Sequence, residues 1–88
     1  MSVTVIHDQP LLRTLRHVPT ELLPRVLATI DTIIAAAPNL PGERDEVVAQ
    51  TRPALRYARA VPATPWFVVY SWSITSERLI LRSVNVLA

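Results

Sequence analysis

The sequence contains no cysteine and only one glycine, and these two shortages exclude several classes of site. Without cysteine there is no disulfide framework, no thiolate nucleophile and no cysteine-based zinc site. A single glycine, Gly42, is too few for a glycine-rich phosphate-binding loop. No hydrophobic run reaches the roughly 18–20 residues that span a bilayer. Residues 1–7 also lack the pattern of a secretory signal, so we expect a cytoplasmic protein with no membrane partner.

Lysine is also absent, because all nine basic residues are arginine. Arginine suits planar, two-pronged contacts with carboxylate or phosphate, although codon usage in a GC-rich genome explains the same bias. The net charge is only +2, but it is unevenly distributed. From Thr51 onward Glu77 is the single acid, against five arginines: Arg52, Arg56, Arg59, Arg78 and Arg82. This locally basic region favours a negatively charged partner.

The length of 88 residues and the 50% hydrophobic content indicate one folded domain spanning residues 1–88. Residues 3–6 are β-branched and uncharged and predict a first strand. Asp8 is suited to cap a helix that ends at Pro19, and Thr20 to cap a second helix. Apolar residues at three- and four-residue spacing continue that second helix to Ala37. Together the two segments predict an antiparallel helical hairpin.

The remainder of the chain predicts mostly strands. Residues 43–50 suggest one or two helical turns, and residues 54–61, 66–73 and 78–86 show β patterns. Strict alternation in the last strand places Leu79, Leu81 and Asn85 opposite Arg82 and Val84. The predicted class is α+β in the order β-α-α-β-β-β. Its three-stranded antiparallel sheet would carry the helical hairpin on one face.

The arginines of the predicted strands are the strongest candidates for a functional surface. Arg56, Arg59, Arg78 and Arg82 lie on neighbouring strands and can converge on one concave face that holds phosphates or acidic side chains. Alternatively, they are solubilising charges at strand edges. The same region holds four aromatic residues that can stack on bases but more often form a core: Trp66, Phe67, Tyr70 and Trp72.

Other catalytic patterns are weak. Glu43, Asp45 and Glu46 could ligate a metal, but an acidic loop beside Gly42 is more often simply solvated. His7 and His17 are ten residues apart and are more typical of surface histidines than of a ligand pair or a general base. No serine has a recognisable base partner. We therefore predict no metal and no cofactor.

A family resemblance appears between residues 55 and 85. The segment VPATPWFVVY at 61–70, followed by LILRSVN at 79–85, resembles the C-terminal half of the RelE/ParE toxin superfamily. Members commonly carry a Val-Pro-x-Thr-Pro-aromatic-x-Val-Val-Tyr strand, then a hairpin and an Ile-Leu-Arg-Val-x-His strand. The specific motif covers about the last third of the chain, and the element order and length agree over nearly all of it. The resemblance implies a RelE/ParE-like fold.

The resemblance also implies a function, namely that of the toxin in a bacterial type II toxin–antitoxin pair. RelE-like members cleave mRNA in the ribosomal A site, whereas ParE-like members inhibit DNA gyrase. RelE-like nucleases usually carry arginine where this chain has Phe67, and histidine, tyrosine or a basic residue near Asn85. Only Arg82 matches a position that is frequently basic. The sequence therefore favours a ParE-like toxin that binds gyrase, with Arg56, Arg59, Arg78, Arg82 and Asn85 as target- or phosphate-binding residues.

Two alternatives stay open. One is a ribosome-dependent mRNA endoribonuclease of RelE type, with the ribosome and mRNA as partners. The other is a non-toxic α+β interaction module. In the toxin hypotheses a cognate antitoxin covers apolar surface, which the mean hydropathy of +0.29 leads us to expect. Its predicted contacts are Leu12, Leu22, Trp66 and Trp72, and Leu40 and the strand edges are further candidates. The same surface would otherwise close a homodimer.

Overall fold

The structure is a computed structural model that describes residues 2–49 and 55–87. Seven elements follow one another: β1 (Thr4–His7), α1 (Gln9–Leu15), α2 (Leu23–Ala36), β2 (Glu46–Ala49), β3 (Arg56–Ala60), β4 (Trp66–Ser73) and β5 (Arg78–Val86). The α+β class is confirmed, and the limits of the last two strands are those predicted from the sequence. Neither α1 nor α2, the helices of the described residues, has the length and hydrophobicity of a membrane-spanning segment.

The sheet is larger than the predicted one, with five strands in the order β1-β5-β4-β3-β2. β1 runs parallel to β5, and every other pair is antiparallel. The prediction of helical turns over residues 43–50 is wrong, because β2 occupies part of that segment. Val47 and Val48 are β-branched, and β2 pairs with β3 with a bulge between Val47 and Ala49. The strand predicted over residues 54–61 corresponds to β3, and its predicted start at residue 54 lies outside the described residues.

The first helix begins as the sequence indicates, but the second does not. Asp8 caps α1 by accepting a hydrogen bond from the Gln9 amide at 3.0 Å. At α2 the N-cap position is Leu22, without a side-chain cap, and the segment from Pro19 forms a turn instead. A helix capped by Thr20 would need the Pro24 amide for its first hydrogen bond, and proline has no N–H.

One face of the sheet packs on both helices and holds the core. β4 directs Trp66, Val68, Tyr70 and Trp72 to this face, because strand side chains alternate. α1 packs mainly on β5 and α2 on β4, so each helix lies on a different central strand. The buried core comprises Leu11, Val18, Val26, Ile30, Ile33, Val61, Val68, Tyr70, Trp72, Leu79, Leu81 and Val84.

A β-bulge in β5 changes the predicted alternation of that strand. Tyr70 pairs with Leu81 and Val69 pairs with Ser83, which leaves Arg82 as the extra residue. Leu81 and Val84 therefore both enter the core although they are three residues apart. The prediction that Leu81 and Val84 lie on opposite faces is wrong for this reason.

Candidate functional site

Three of the four predicted arginines share the face of the sheet that the helices leave uncovered, which we call the open face. Arg56 on β3 is paired with Ser71, and Arg78 on β5 is paired with Ser73. Both serines alternate with the core residues of β4, so they and their partners lie on the open face. Arg82 lies there as well, next to Ser71. Arg56 and Arg78 are exposed, and Arg82 is half-buried.

Arg82 is held at two points. Its Nε donates a hydrogen bond to Ser71 Oγ at 3.2 Å, and its Nη1 contacts Asp8 Oδ2 at 3.2 Å. Ser71 is 2% exposed, so the acceptor of the Nε hydrogen bond is a buried hydroxyl. Asp8 reaches Arg82 because β1 lies parallel to β5 and ends beside it. The other Asp8 oxygen caps α1, so one carboxylate connects the helix to the open face.

Arg59 does not belong to this group, because it lies on the helix-covered face. It is paired with the core residue Val68, and its side chain turns to Asp45 in the loop before β2. Nε and Nη2 of Arg59 donate to the two Asp45 oxygens, each at 2.8 Å. This two-pronged geometry is the strongest form of arginine–carboxylate contact. Arg59 therefore fastens the loop to the sheet instead of presenting charge on the open face.

Asp45 accepts two further hydrogen bonds, from the Tyr70 hydroxyl and from the Gly42 amide, the latter at 2.8 Å. We call these four residues, Gly42, Asp45, Arg59 and Tyr70, the Asp45 network. Burial of Asp45 opposes its ionisation, but the hydrogen bonds from Arg59, Tyr70 and Gly42 outweigh it and lower the pKa of the carboxyl. Burial, followed by the bond to Asp45, raises the pKa of Tyr70 above its ordinary value. Both shifts favour the paired state at neutral pH.

The single glycine of the chain is explained by this network. A Cβ on Gly42 would lie 2.6 Å from Nη2 of Arg59 and 3.3 Å from Oδ2 of Asp45. The Arg59 guanidinium could move away from such a Cβ only by breaking its hydrogen bonds to Asp45. The sequence interpretation of residues 43–46 as a solvated acidic loop is thus wrong for Asp45, whose side chain is 1% exposed. Among the described residues, no group of three His, Cys, Asp or Glu side chains is placed to hold a metal.

Asn85 lies on the open face but at a distance from the arginines along β5. It is paired with Phe67 and donates through Nδ2 to Ser83 Oγ at 2.8 Å. Both Asn85 and Phe67 are half-buried. The open face therefore has a basic part near Ser71 and a neutral part near Asn85.

The four predicted antitoxin contacts differ in how much of their surface is exposed. Leu12 on α1 is 54% exposed and offers an apolar surface. Leu22 and Trp66 are partly buried against the core. Trp72 is a member of the core and is 9% exposed, so it offers little surface to a partner. Its position follows from β4 alternation, since Trp72 shares the face of Val68 and Tyr70.

Sequence reasoning missed Ser71 and Asp8 as parts of the arginine site. The signal for Ser71 was present, because it is a polar residue in the middle of an otherwise apolar strand. For Asp8 the only signal was its helix-capping position. Its contact with Arg82 joins residues 74 apart in the chain and depends on the parallel β1–β5 pairing, which was not predicted.

Comparison with solved structures shows a similarity in fold. A chain in the crystal structure of the archaeal RelE–RelB complex from Pyrococcus horikoshii OT3 superposes with a TM-score of 0.67. It is 17% identical, and the match covers 98% of this chain and 96% of that chain. No protein-family model and no curated protein matches the sequence. At this identity the similarity establishes the fold, and the chain has the RelE fold expected from its motif.

Proposed function

We propose that the protein is the toxin of a bacterial type II toxin–antitoxin pair. It acts in the cytoplasm by binding its target, with DNA gyrase as the first candidate, through the open face. A cognate antitoxin neutralises it. The observation that carries the proposal is the grouping of Arg56, Arg78 and Arg82 on the face that the helices leave open. The RelE fold over almost the full length supports the same function.

The side chains of the open face favour binding over RNA cleavage. Hydrolytic or transesterifying RNA cleavage needs groups that take and give protons near neutral pH. Among the described residues, the polar side chains near Arg82 on this face are arginines, serines and Asp8, and Asp8 is paired with Arg82. His7 is paired with the core residue Leu81 and so lies on the helix side of β1, and His17 lies in the turn after α1. In residues 2–49 and 55–87, neither histidine is hydrogen-bonded to Arg82, whose partners are Ser71 and Asp8.

RelE-type cleavage of mRNA on the ribosome is the second candidate. What favours it is Arg82, which is fixed by Ser71 and Asp8 on the open face and can stabilise a phosphate charge. The shared fold with a chain of a RelE–RelB complex also supports it. In that case the ribosome would supply the proton-transfer groups that the described residues beside Arg82 do not provide.

Two exposed regions suit an antitoxin. Leu12 projects from α1, and Val47 and Val48 are exposed on β2, which is an edge strand. Peptides commonly bind folded domains by laying an apolar helix face in a groove or by adding a strand to a sheet edge. We propose that the antitoxin uses these two regions and leaves Trp72 untouched.

The test is inducible expression in a bacterial host, with and without the neighbouring open reading frame. Growth, an SOS reporter and transcript integrity are recorded together. We expect arrest that the neighbour relieves, with SOS induction and intact transcripts. Arg82→Ala and Arg56→Ala should restore growth at equal expression, whereas Arg25→Ala, on exposed α2 surface, should not.

Each other result would change the proposal. Arrest with cleaved transcripts and no SOS response would select the ribonuclease. Unimpaired growth at verified soluble expression would reject a toxin and leave the interaction module. Arrest that persists in Arg82→Ala and Arg56→Ala would remove the open face from the mechanism.

A further inference from the structure

The Arg82–Asp8 pair has the features of a contact that can be exchanged. Its N–O distance of 3.2 Å exceeds the roughly 2.7–2.9 Å of good charge-assisted hydrogen bonds. The side chains of Arg82 and Asp8 are 24% and 37% exposed, so water and ions reach both. Exposed ion pairs of this kind contribute little, because solvent competes for both charges.

Arg82 also has donors to spare. Its Nε is used by Ser71 and its Nη1 by Asp8, whereas Nη2 donates to no acceptor in residues 2–49 and 55–87. Arg56 is the cross-strand partner of Ser71 on the other side of β4. Two guanidinium groups therefore flank one buried serine. Phosphate suits such a place, because its oxygens accept two parallel N–H bonds from arginine.

We propose that Asp8 is an internal competitor for the anion-binding group of the open face. In the free protein its carboxylate contacts Arg82, and a phosphate group of the ligand takes its place on that guanidinium. Ser71 keeps Arg82 in position during the exchange, because it bonds Nε and leaves Nη1 and Nη2 for the incoming anion. The affinity of the open face for phosphate is therefore set by Asp8 as well as by the arginines. This inference rests on the proposed use of the open face for target binding.

Asp8 also caps α1, and the two roles can be separated by substitution. Asparagine caps a helix about as well as aspartate, so Asp8→Asn removes the charge and keeps an oxygen for the Gln9 amide. Asp8→Ser is a second variant that keeps a capping oxygen but has no carboxylate geometry. Asp31→Asn is the matched control, because Asp31 is an exposed acid on α2 and its loss changes the net charge equally.

The experiment is a titration with inorganic phosphate at low ionic strength, followed by NMR at the Arg82 Nε–H and the Ser71 amide. Removal of an exposed competing charge is worth up to about fivefold in affinity. We therefore expect Asp8→Asn and Asp8→Ser to bind phosphate about three- to fivefold more tightly than the wild-type protein. Asp31→Asn should change the affinity by less than about twofold, because screening weakens distant charges.

The proposal is overturned if Asp8→Asn gains no more than Asp31→Asn, or if it binds phosphate more weakly because Asp8 is needed to hold Arg82. Thermal unfolding of every variant establishes that the compared proteins are folded. Toxicity is scored separately in the expression assay. A tighter phosphate site in a non-toxic protein would support this inference and reject the proposed function. If the wild-type protein is toxic but Asp8→Asn gains no phosphate affinity over Asp31→Asn, the proposed function is supported and this inference is rejected.

Discussion

Two arginine–aspartate pairs lie on opposite faces of the same sheet and differ in contact distance, in the number of bonds and in the burial of the aspartate. Arg59 and Asp45 form two bonds of 2.8 Å, with an aspartate that is 1% exposed. Arg82 and Asp8 share one contact of 3.2 Å, and both are open to solvent. The first pair has further partners in Tyr70 and Gly42, whereas Asp8 is shared with the α1 cap.

The two arginines are similarly exposed, at 19% and 24%, so the burial of the aspartate partner and the number of bonds it accepts divide them between stability and binding. Breaking a buried pair leaves a charge without compensation, so such a pair must stay closed. An exposed pair loses little when it opens, and its arginine is free to bind another anion. Arg59 therefore serves the fold, and Arg82 serves the surface proposed for target binding. Substitutions on each side can test this division.

The largest effect is expected from Asp45→Ala. It leaves the Arg59 guanidinium and the Tyr70 hydroxyl without their acceptor, and loss of one partner of a buried pair costs about 3–5 kcal/mol. Arg59 is partly exposed and can regain water, so we expect about 3 kcal/mol, at the low end. Urea unfolding at pH 7 measures the change. A loss below that of Asp8→Ala would contradict the division between the two pairs.

Acid should weaken the same network without a substitution. The folded-state pKa of Asp45 lies below the ordinary 3.8, so its contribution is complete above that value and is lost as pH falls through the folded pKa. The measurement is the free energy of unfolding of wild-type and Asp45→Asn proteins from pH 7 downward. We expect the advantage of the wild-type protein to be constant near neutrality and to shrink below about pH 3.8. A constant advantage throughout would mean that ionised Asp45 does not stabilise the fold.

The sequence predicted the open-face arginines better than the Asp45 network, for a physical reason. Three of the four arginines expected on one face, Arg56, Arg78 and Arg82, lie there, because alternation along a strand is a local property. The expectation was wrong for Arg59, which is three residues from Arg56 on the same strand and so lies on the opposite face. Which residue meets Arg59 depends on a loop that reaches back across the sheet, and no local pattern in residues 42–45 encodes that path. Local alternation did not predict the bulge at Arg82 either. In the structure the bulge accounts for the three-residue spacing of the core residues Leu81 and Val84.

A smaller effect is expected from Gly42→Ala. The added Cβ would meet Arg59 Nη2 at 2.6 Å, and overpacking of this kind costs about 1–3 kcal/mol. Gly42 does not have a positive φ, so alanine recovers about 0.4–1 kcal/mol by restricting the unfolded chain. The expected net loss is about 1 kcal/mol in urea unfolding. In an Arg59→Ala background the loss should disappear or change sign, and a persistent loss would mean that Arg59 is not what excludes a side chain there.

The smallest effect is expected from Asp8→Asn, which opens the exposed pair and keeps the cap. The pair is exposed, so it is worth at most about 1 kcal/mol by analogy with other exposed pairs. We expect the free energy of unfolding to change by less than about 1 kcal/mol. Asp8→Ala should lose about 1 kcal/mol more, because it also removes the oxygen that accepts from the Gln9 amide. Urea unfolding of both variants side by side separates the contribution of the ion pair to stability from that of the helix cap. A large loss in Asp8→Asn would mean that the Arg82–Asp8 pair holds the fold together as the Arg59–Asp45 pair does.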